Sequence, residues 1–201
     1  FNEVAGGPKN GIAWASDSNL DWGQDLAELE KYIQDQEIPF IFLSYYGIPE
    51  LPEQYKINYH PFPNFFDLHD PLYSPYNPPE GIYAISATHR TGQTIYPAFG
   101  EDAVDWFNHQ QPCDMVSTTI YIYCVEPDPN PPQWLGICLG LEPYITEEAA
   151  LRKLGFPDIP VEWLDCTDIY KWTAFLATPG WLLIPDPEIQ PTAIADQITA
   201  F

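Results

Sequence analysis

Between Gly11 and Tyr46 the hydrophobic period of the sequence changes twice, and this narrows the possible folds more than any other feature. Residues 11–16 (G-I-A-W-A-S) read as a short buried strand. After D-S-N-L-D-W-G-Q-D-L, residues Leu26, Leu29, Tyr32 and Ile33 fall at helical spacing, with Glu28, Glu30, Lys31 and Asp35 on the other faces. Asp21 is the expected N-cap, and Asp25 sits in the first turn, where the helix dipole favours an anion. Pro39 ends the helix, and I-F-L-S-Y-Y (41–46) reads as a second buried strand. Strand, helix and strand in so short a span predict a parallel pair joined by a right-handed crossover.

The pattern then breaks. Residues 47–80 hold eight prolines and many aromatics without a sustained period, which predicts a long ordered excursion packed by its own rings. Strand-like pattern resumes at G-I-Y-A-I-S-A-T (81–88). A short helix follows at 101–109, then a strand at T-T-I-Y-I-Y-C-V (118–125). A proline-rich hinge at 126–132 sets off the last third, where Thr146 caps and Gly155 stops a helix over 146–155 and G-W-L-L-I (180–184) is a late strand. The expectation is an α/β fold: a mixed central sheet with flanking helices, the proline- and aromatic-rich excursion, and a C-terminal extension. The core domain is placed at 1–125, and the extension packed on it at 126–201.

Charge excludes some functions. Seven Lys+Arg face 29 Asp+Glu, a formal charge of -22, so phosphate backbones and anionic headgroups are repelled and nucleic acid is not an expected partner. Residue 1 is Phe and the single Met is Met115, so the expectation is a chain cleaved or excised from a longer one. No apolar run approaches the ~18 residues of a membrane span. No G-x-G-x-x-G, Walker loop, G-x-S-x-G or H-E-x-x-H occurs, and His89 beside Arg90 is an isolated, catalytic-looking surface pair. Cys113, Cys124, Cys138 and Cys166 lack zinc spacing. They allow three pairings into two disulfides, with Cys113–Cys124 able to close a short loop, and buried free thiols are the alternative.

The segment from Asp17 to Glu28 places Asp17, Asn19, Asp21 and Glu28 at positions 1, 3, 5 and 12 of a calcium-loop pattern. Trp22 stands where the sharp-turn glycine belongs, with Gly23 one place late. The competing reading makes Asp21 a cap, Asn19 an Asx-turn and Asp17 a partner of backbone amides. Asp17, Asn19, Asp21, Trp22, Gln24 and Asp25 are the candidate ligand-facing set, with calcium the candidate ion. His60, Asp67, His69 and Asp70 form a second metal candidate that also reads as turn and surface residues. Tyr45, Tyr46, Tyr55, Tyr59, Phe62, Phe65, Phe66, Tyr73 and Tyr76 read either as a stacking platform for sugar rings or as loop packing. Asp102 and Asp105 near Trp106 have no recognisable partner base.

Five ordered blocks carry a resemblance: F-N-E-V-A-G-G-P-K-N-G (1–11), D-S-N-L-D-W-G-Q-D-L (17–26), L-S-Y-Y-G (43–47), G-I-Y-A-I-S-A-T-H-R-T-G (81–92) and D-W-F…P…I-Y-I-Y (105–123). Together they resemble the segment after the last membrane helices of bacterial multi-pass glycosyltransferases related to dolichyl-phosphate-mannose protein mannosyltransferases. The resemblance spans roughly 1–125, and residues 126–201 have no counterpart in it. It implies a soluble extracytoplasmic tail, periplasmic or at the cell surface, tethered through its parent protein. Catalysis by acidic loops would lie in the membrane domain, so no catalytic residue is carried over. The implied role is a non-catalytic accessory domain of a polyprenyl-phosphate-sugar-dependent enzyme, contacting acceptor, carrier, membrane domain or envelope glycans. The alternative is a redeployed cell-surface or assembly protein, with self-assembly as its expected behaviour. An extracytoplasmic location also permits oxidised cysteines, with Cys113–Cys124 and Cys138–Cys166 as the expected pairs.

Overall fold

The computed structural model describes residues 23–92, 94–100, 102–156, 158–166 and 178–184. The chain divides into two compact units, Phe1–Tyr73 with Pro78–Glu126, and Ser74–Asn77 with Pro127–Phe201. The strand expected at 11–16, and with it the crossover to 41–46, lies outside the described residues.

The first unit begins with helix α1 (Leu26–Asp35). It starts later than expected: the cap position falls on Asp25, four residues beyond Asp21, and the Asp25 side chain does not cap. Strand β1 (Ile41–Ser44) follows, then α2 (Leu51–Gln54) and β2 (Tyr59–Pro61) inside the proline-rich excursion. The next elements are β3 (Gly81–Ser86), α3 (Ala87–Arg90), α4 (Tyr96–Phe99), α5 (Asp105–His109), β4 (Asp114–Val116) and β5 (Ile120–Val125). The sheet runs β2-β1-β3-β5-β4. Its first three strands are parallel and the last two pair antiparallel, so the central sheet is mixed, as expected.

Successive strand residues face opposite sides, and the sequence stocks the two sides differently. Leu26 and Leu29 of α1 pack with Ile41, Leu43, Ile57, Ala84, Ile120 and Ile122 on an aliphatic side. The other side is aromatic: Phe42 stacks on Tyr83 with ring centroids 4.5 Å apart, and Phe62, Phe107 and Tyr123 complete the layer. All four β1 residues are buried, as a strand covered on both faces requires. The excursion contributes to the edge: Tyr59 pairs with Ile41, His60 with Phe42, and Pro61 with Leu43. Pro61 cannot donate to a ladder, and an edge strand tolerates that.

The second unit has its own core. Its strands β6 (Leu135–Cys138), β7 (Val161–Leu164) and β8 (Trp181–Leu183) form a parallel sheet in the order β7-β6-β8, with helix α6 (Glu147–Leu154) between β6 and β7. The stretch read as an extension thus carries a strand–helix–strand of its own. Leu135, Ile137, Leu141, Ala150, Leu154 and Leu183 are buried together there. The α6 ends match expectation: the Thr146 hydroxyl accepts the Ala149 amide at 3.2 Å, and Gly155 takes φ +74° in the left-handed region. Ser74 is buried in this unit, where its hydroxyl donates to the Lys153 carbonyl at 2.9 Å. Both expected disulfides are formed, with Cα–Cα distances of 6.0 Å for Cys113–Cys124 and 5.4 Å for Cys138–Cys166. Among the described residues no helix is long and apolar enough to cross a membrane.

Candidate functional site

Parallel strands deliver their following loops to one edge of a sheet, and ligands of α/β folds collect there. In the first unit the carboxyl ends of β2, β1 and β3 converge in this way around a cavity of about 240 Å³. Strand β1 contributes Leu43 and Ser44 and runs on into Tyr45, Tyr46 and Gly47; β2 runs on into Phe62, Pro63, Phe65 and Phe66; β3 leads through α3 to His89. Pro49, Pro52, Tyr59 and Pro61 complete the lining.

The polar element is a pair. The Ser44 hydroxyl lies 2.9 Å from His89 Nδ1, and the two side chains are only 2% and 6% exposed. Loss of hydration disfavours the charged imidazole, so burial pushes the pKa of His89 down to about 4 and leaves the ring neutral near pH 7. The edge of the Tyr46 ring and the Phe65 ring flank it at centroid distances of 5.9 and 6.1 Å. Ser86, buried at the end of β3, accepts the Tyr46 amide at 3.2 Å and so fixes the loop after β1. Tyr45 is held by close packing: a Cβ on either Gly23 or Gly47 would collide with its ring. Gly23, at φ +74°, therefore suits its position twice over.

His89 is a buried residue and not the surface group that the sequence suggested. Short helix α3 turns Ala87, Thr88 and His89 inward, while the Arg90 Nε donates to the Tyr123 hydroxyl at 2.8 Å and its guanidinium covers the Tyr121 ring. No sequence period predicts the pairing of Ser44 with His89, because 45 positions separate them. The available signal is that each follows a buried apolar run, I-F-L and G-I-Y-A-I.

Of the calcium-loop residues, Asp17, Asn19, Asp21 and Trp22 lie outside the described residues. Gln24 and Glu28 are exposed at the start of α1. Asp25 is buried, and its carboxylate accepts the Thr119 hydroxyl at 2.7 Å and the Thr118 amide at 3.3 Å. It thereby ties the helix start to the turn between β4 and β5.

His60, Asp67, His69 and Asp70 are occupied as turn and pairing groups. His60 Nε2 pairs with the buried Asp70 carboxylate, whose other oxygen accepts the Leu72 amide at 2.9 Å, and Asp67 accepts the His69 amide at 3.0 Å. Burial pushes the Asp70 carboxyl up. The Leu72 amide, His60 and Asn64 outweigh it and hold the group below the ordinary carboxylate range. Among the described residues no three His, Cys, Asp or Glu side chains gather as metal ligands.

The aromatic set divides. Tyr45, Tyr46, Tyr59, Phe62, Phe65 and Phe66 line the cavity. Tyr73 instead packs between Phe62 and Phe99 and donates to the Ala103 carbonyl, and Tyr76 joins the core of the second unit. Tyr55 is partly exposed and does not line the cavity. Asp105 sits 3.6 Å from His109, and burial raises its carboxyl pKa. No family model, curated protein or solved structure matches this chain.

Proposed function

We propose that the chain is a non-catalytic extracytoplasmic accessory domain of a membrane-bound, polyprenyl-phosphate-sugar-dependent glycosyltransferase, and that the cavity at the strand ends contacts its acceptor or carrier. The observation that carries this reading is a convergence. The blocks L-S-Y-Y-G and G-I-Y-A-I-S-A-T-H-R-T-G, far apart in sequence, supply Ser44, Tyr45, Tyr46, Gly47 and His89 to one cavity. A third, D-S-N-L-D-W-G-Q-D-L, ends in Gly23 against Tyr45 and in Asp25 bonded to Thr119. Tyr83, Ala84, Ile85 and Ala87 of these blocks pack in the core, while Leu43 to Gly47 and His89 reach the strand ends where α/β folds hold ligands. Two disulfides suit an oxidising compartment.

The test uses membranes bearing the full-length protein and follows transfer of labelled sugar from a polyprenyl-phosphate donor. Tyr46→Ala and Phe65→Ala should raise the KM for acceptor or donor and leave kcat within about threefold, as loss of uniform binding does. The purified domain alone should transfer nothing. Unchanged kinetics in both variants, or transfer by the isolated domain, would sink this reading.

The second reading, a cell-surface or assembly role, is favoured by Ile48, Phe66 and Leu68, which are 59, 84 and 56% exposed. Sedimentation at rising concentration should then show self-association that Phe66→Ser abolishes. A monomer at every concentration rejects it.

A further inference from the structure

We infer that the cavity seats an uncharged ligand whose body is hydrocarbon or aromatic and whose single hydroxyl or carbonyl meets the Ser44–His89 pair. This rests on reading the cavity as a ligand site and goes further by naming what fits. The chain carries 29 carboxylates, yet the described lining includes no Asp, Glu, Lys or Arg. A phosphate or carboxylate seated against the buried Ser44 and His89 would lose much of its hydration and gain no cationic partner from the described lining, inside a molecule whose net charge of -22 already repels it.

A cation is better placed than an anion, because six aromatic rings line the space. Still, no carboxylate of the described lining neutralises it, and charges beyond that lining act through screening solvent. A full sugar ring fails on a different count. It brings around five polar groups, and each one buried without a partner is costly. The described lining answers with one buried pair and a few phenol groups, of which Tyr45's is wedged against Gly23 and Gly47. Rings such as Phe65 and Phe66 suit the apolar body of a ligand better than a sugar's hydroxyl rim.

Size agrees. An apolar cavity of about 150 Å³ holds benzene. The space here, about 240 Å³, therefore accepts a group of roughly ten heavy atoms, a fused bicycle or a short branched chain. Ser44 and His89 supply the one specific contact. The serine offers a donor and lone pairs, and the neutral imidazole offers one donor and one acceptor, so the pair serves a hydroxyl or a carbonyl without a net charge.

The experiment is an NMR titration of the purified chain with four probes: naphthylmethanol, naphthoate, naphthylmethylammonium and methyl glucoside. Shifts of the His89 ring and the Ser44 amide report occupancy. Naphthylmethanol should bind at least about tenfold more tightly than each of the other three, the order expected when a charge or several hydroxyls lose water unpaired. Ser44→Ala should weaken naphthylmethanol about fivefold and leave methylnaphthalene unchanged, the loss typical of one hydrogen bond. The wild-type series stands even if that variant does not fold. Equal or tighter binding of the carboxylate, the ammonium or the glucoside overturns the ligand class and leaves the cavity as a site. Silence at His89 with all four probes overturns both the class and the cavity's role in the proposed function.

Discussion

Acid should destabilise the first unit through one residue, His89. Its imidazole has the ordinary pKa of 6.5 when unfolded and about 4 in the fold. The folded value is depressed, so the contribution is intact above 6.5 and is lost as pH falls toward 4. At about pH 5 the unfolded ring has taken its proton and the folded ring has not. That gap of about 1.5 pH units, at about 1.4 kcal/mol each, costs about 2 kcal/mol relative to neutral pH. Asp70 does not confuse the window. Its carboxyl lies below the ordinary 3.8, so its share of stability is lost only at lower pH. The comparison is wild type against His89→Asn, whose side chain reaches the Ser44 hydroxyl without titrating. Native-state hydrogen exchange of the β3 and β5 amides, measured at about pH 7 and about pH 5 and corrected for intrinsic rates, reads the unit's opening free energy. Wild type should lose about 2 kcal/mol more than the variant. An equal loss in both would refute the assignment of acid sensitivity to this ring.

Replacing the cysteine pairs by serine should cost about 3 kcal/mol for Cys113–Cys124 and slightly more for Cys138–Cys166, because the enclosed sequence separations are 11 and 28. Denaturant midpoints of the two double variants give the order, and a reversed order would count against loop closure as the cause. Gly136→Ala places a Cβ 2.7 Å from Leu164 Cδ1 and 2.9 Å from Leu182 Cδ1 in the parallel sheet of the second unit. Overpacking should outweigh the gain in chain stiffness and lower stability by about 1 kcal/mol, with a rise in thermal midpoint as the contrary result. Thr146→Ala should cost about 1 kcal/mol through loss of the α6 cap, visible as faster amide exchange at Ala149. Asp25→Ala should cost about 2 kcal/mol by removing the acceptor for Thr119, and Thr119→Val added to it should cost little more. Full additivity of those two changes would show that the contact carries no energy.

Where apolar residues fall at helical spacing or in an unbroken run, the sequence is readable. Leu26, Leu29 and Ile41 to Leu43 announce α1 and β1, and the run from Ile120 to Val125 announces β5. Thr146 and Gly155 mark α6 through local backbone chemistry that needs no tertiary partner. Strand β2 is not readable, because Y-H-P carries no alternation and exists only as an edge on β1. Strands β6 and β7 are hidden because neither is an unbroken apolar run: Gly136 interrupts L-G-I-C and Glu162 interrupts V-E-W-L, and only their common packing with Leu154 and Leu183 makes them a sheet. The cavity is half legible. Its rings stand out in the proline-rich stretch, but which rings it keeps depends on where β2 ends. The Ser44–His89 contact forms only once two distant strands lie side by side, so no local pattern encodes it.

The place of Ser74–Asn77 has a consequence for anyone cutting or grafting this protein. These four residues belong to the second unit, although β3 to β5 of the first follow them in the chain. The polypeptide visits the second unit, returns to complete the first, and goes back. A cut at Glu126 therefore does not yield the first unit free of the other. It leaves Tyr76 without its neighbours in the second core and deprives the Ser74 hydroxyl of the Lys153 carbonyl. The complementary piece from Pro127 onward lacks the strand of chain that packs beside Gly155. A transplant of the second unit needs two segments stitched together, for instance by a linker that replaces Pro78–Glu126 and joins residue 77 to Pro127.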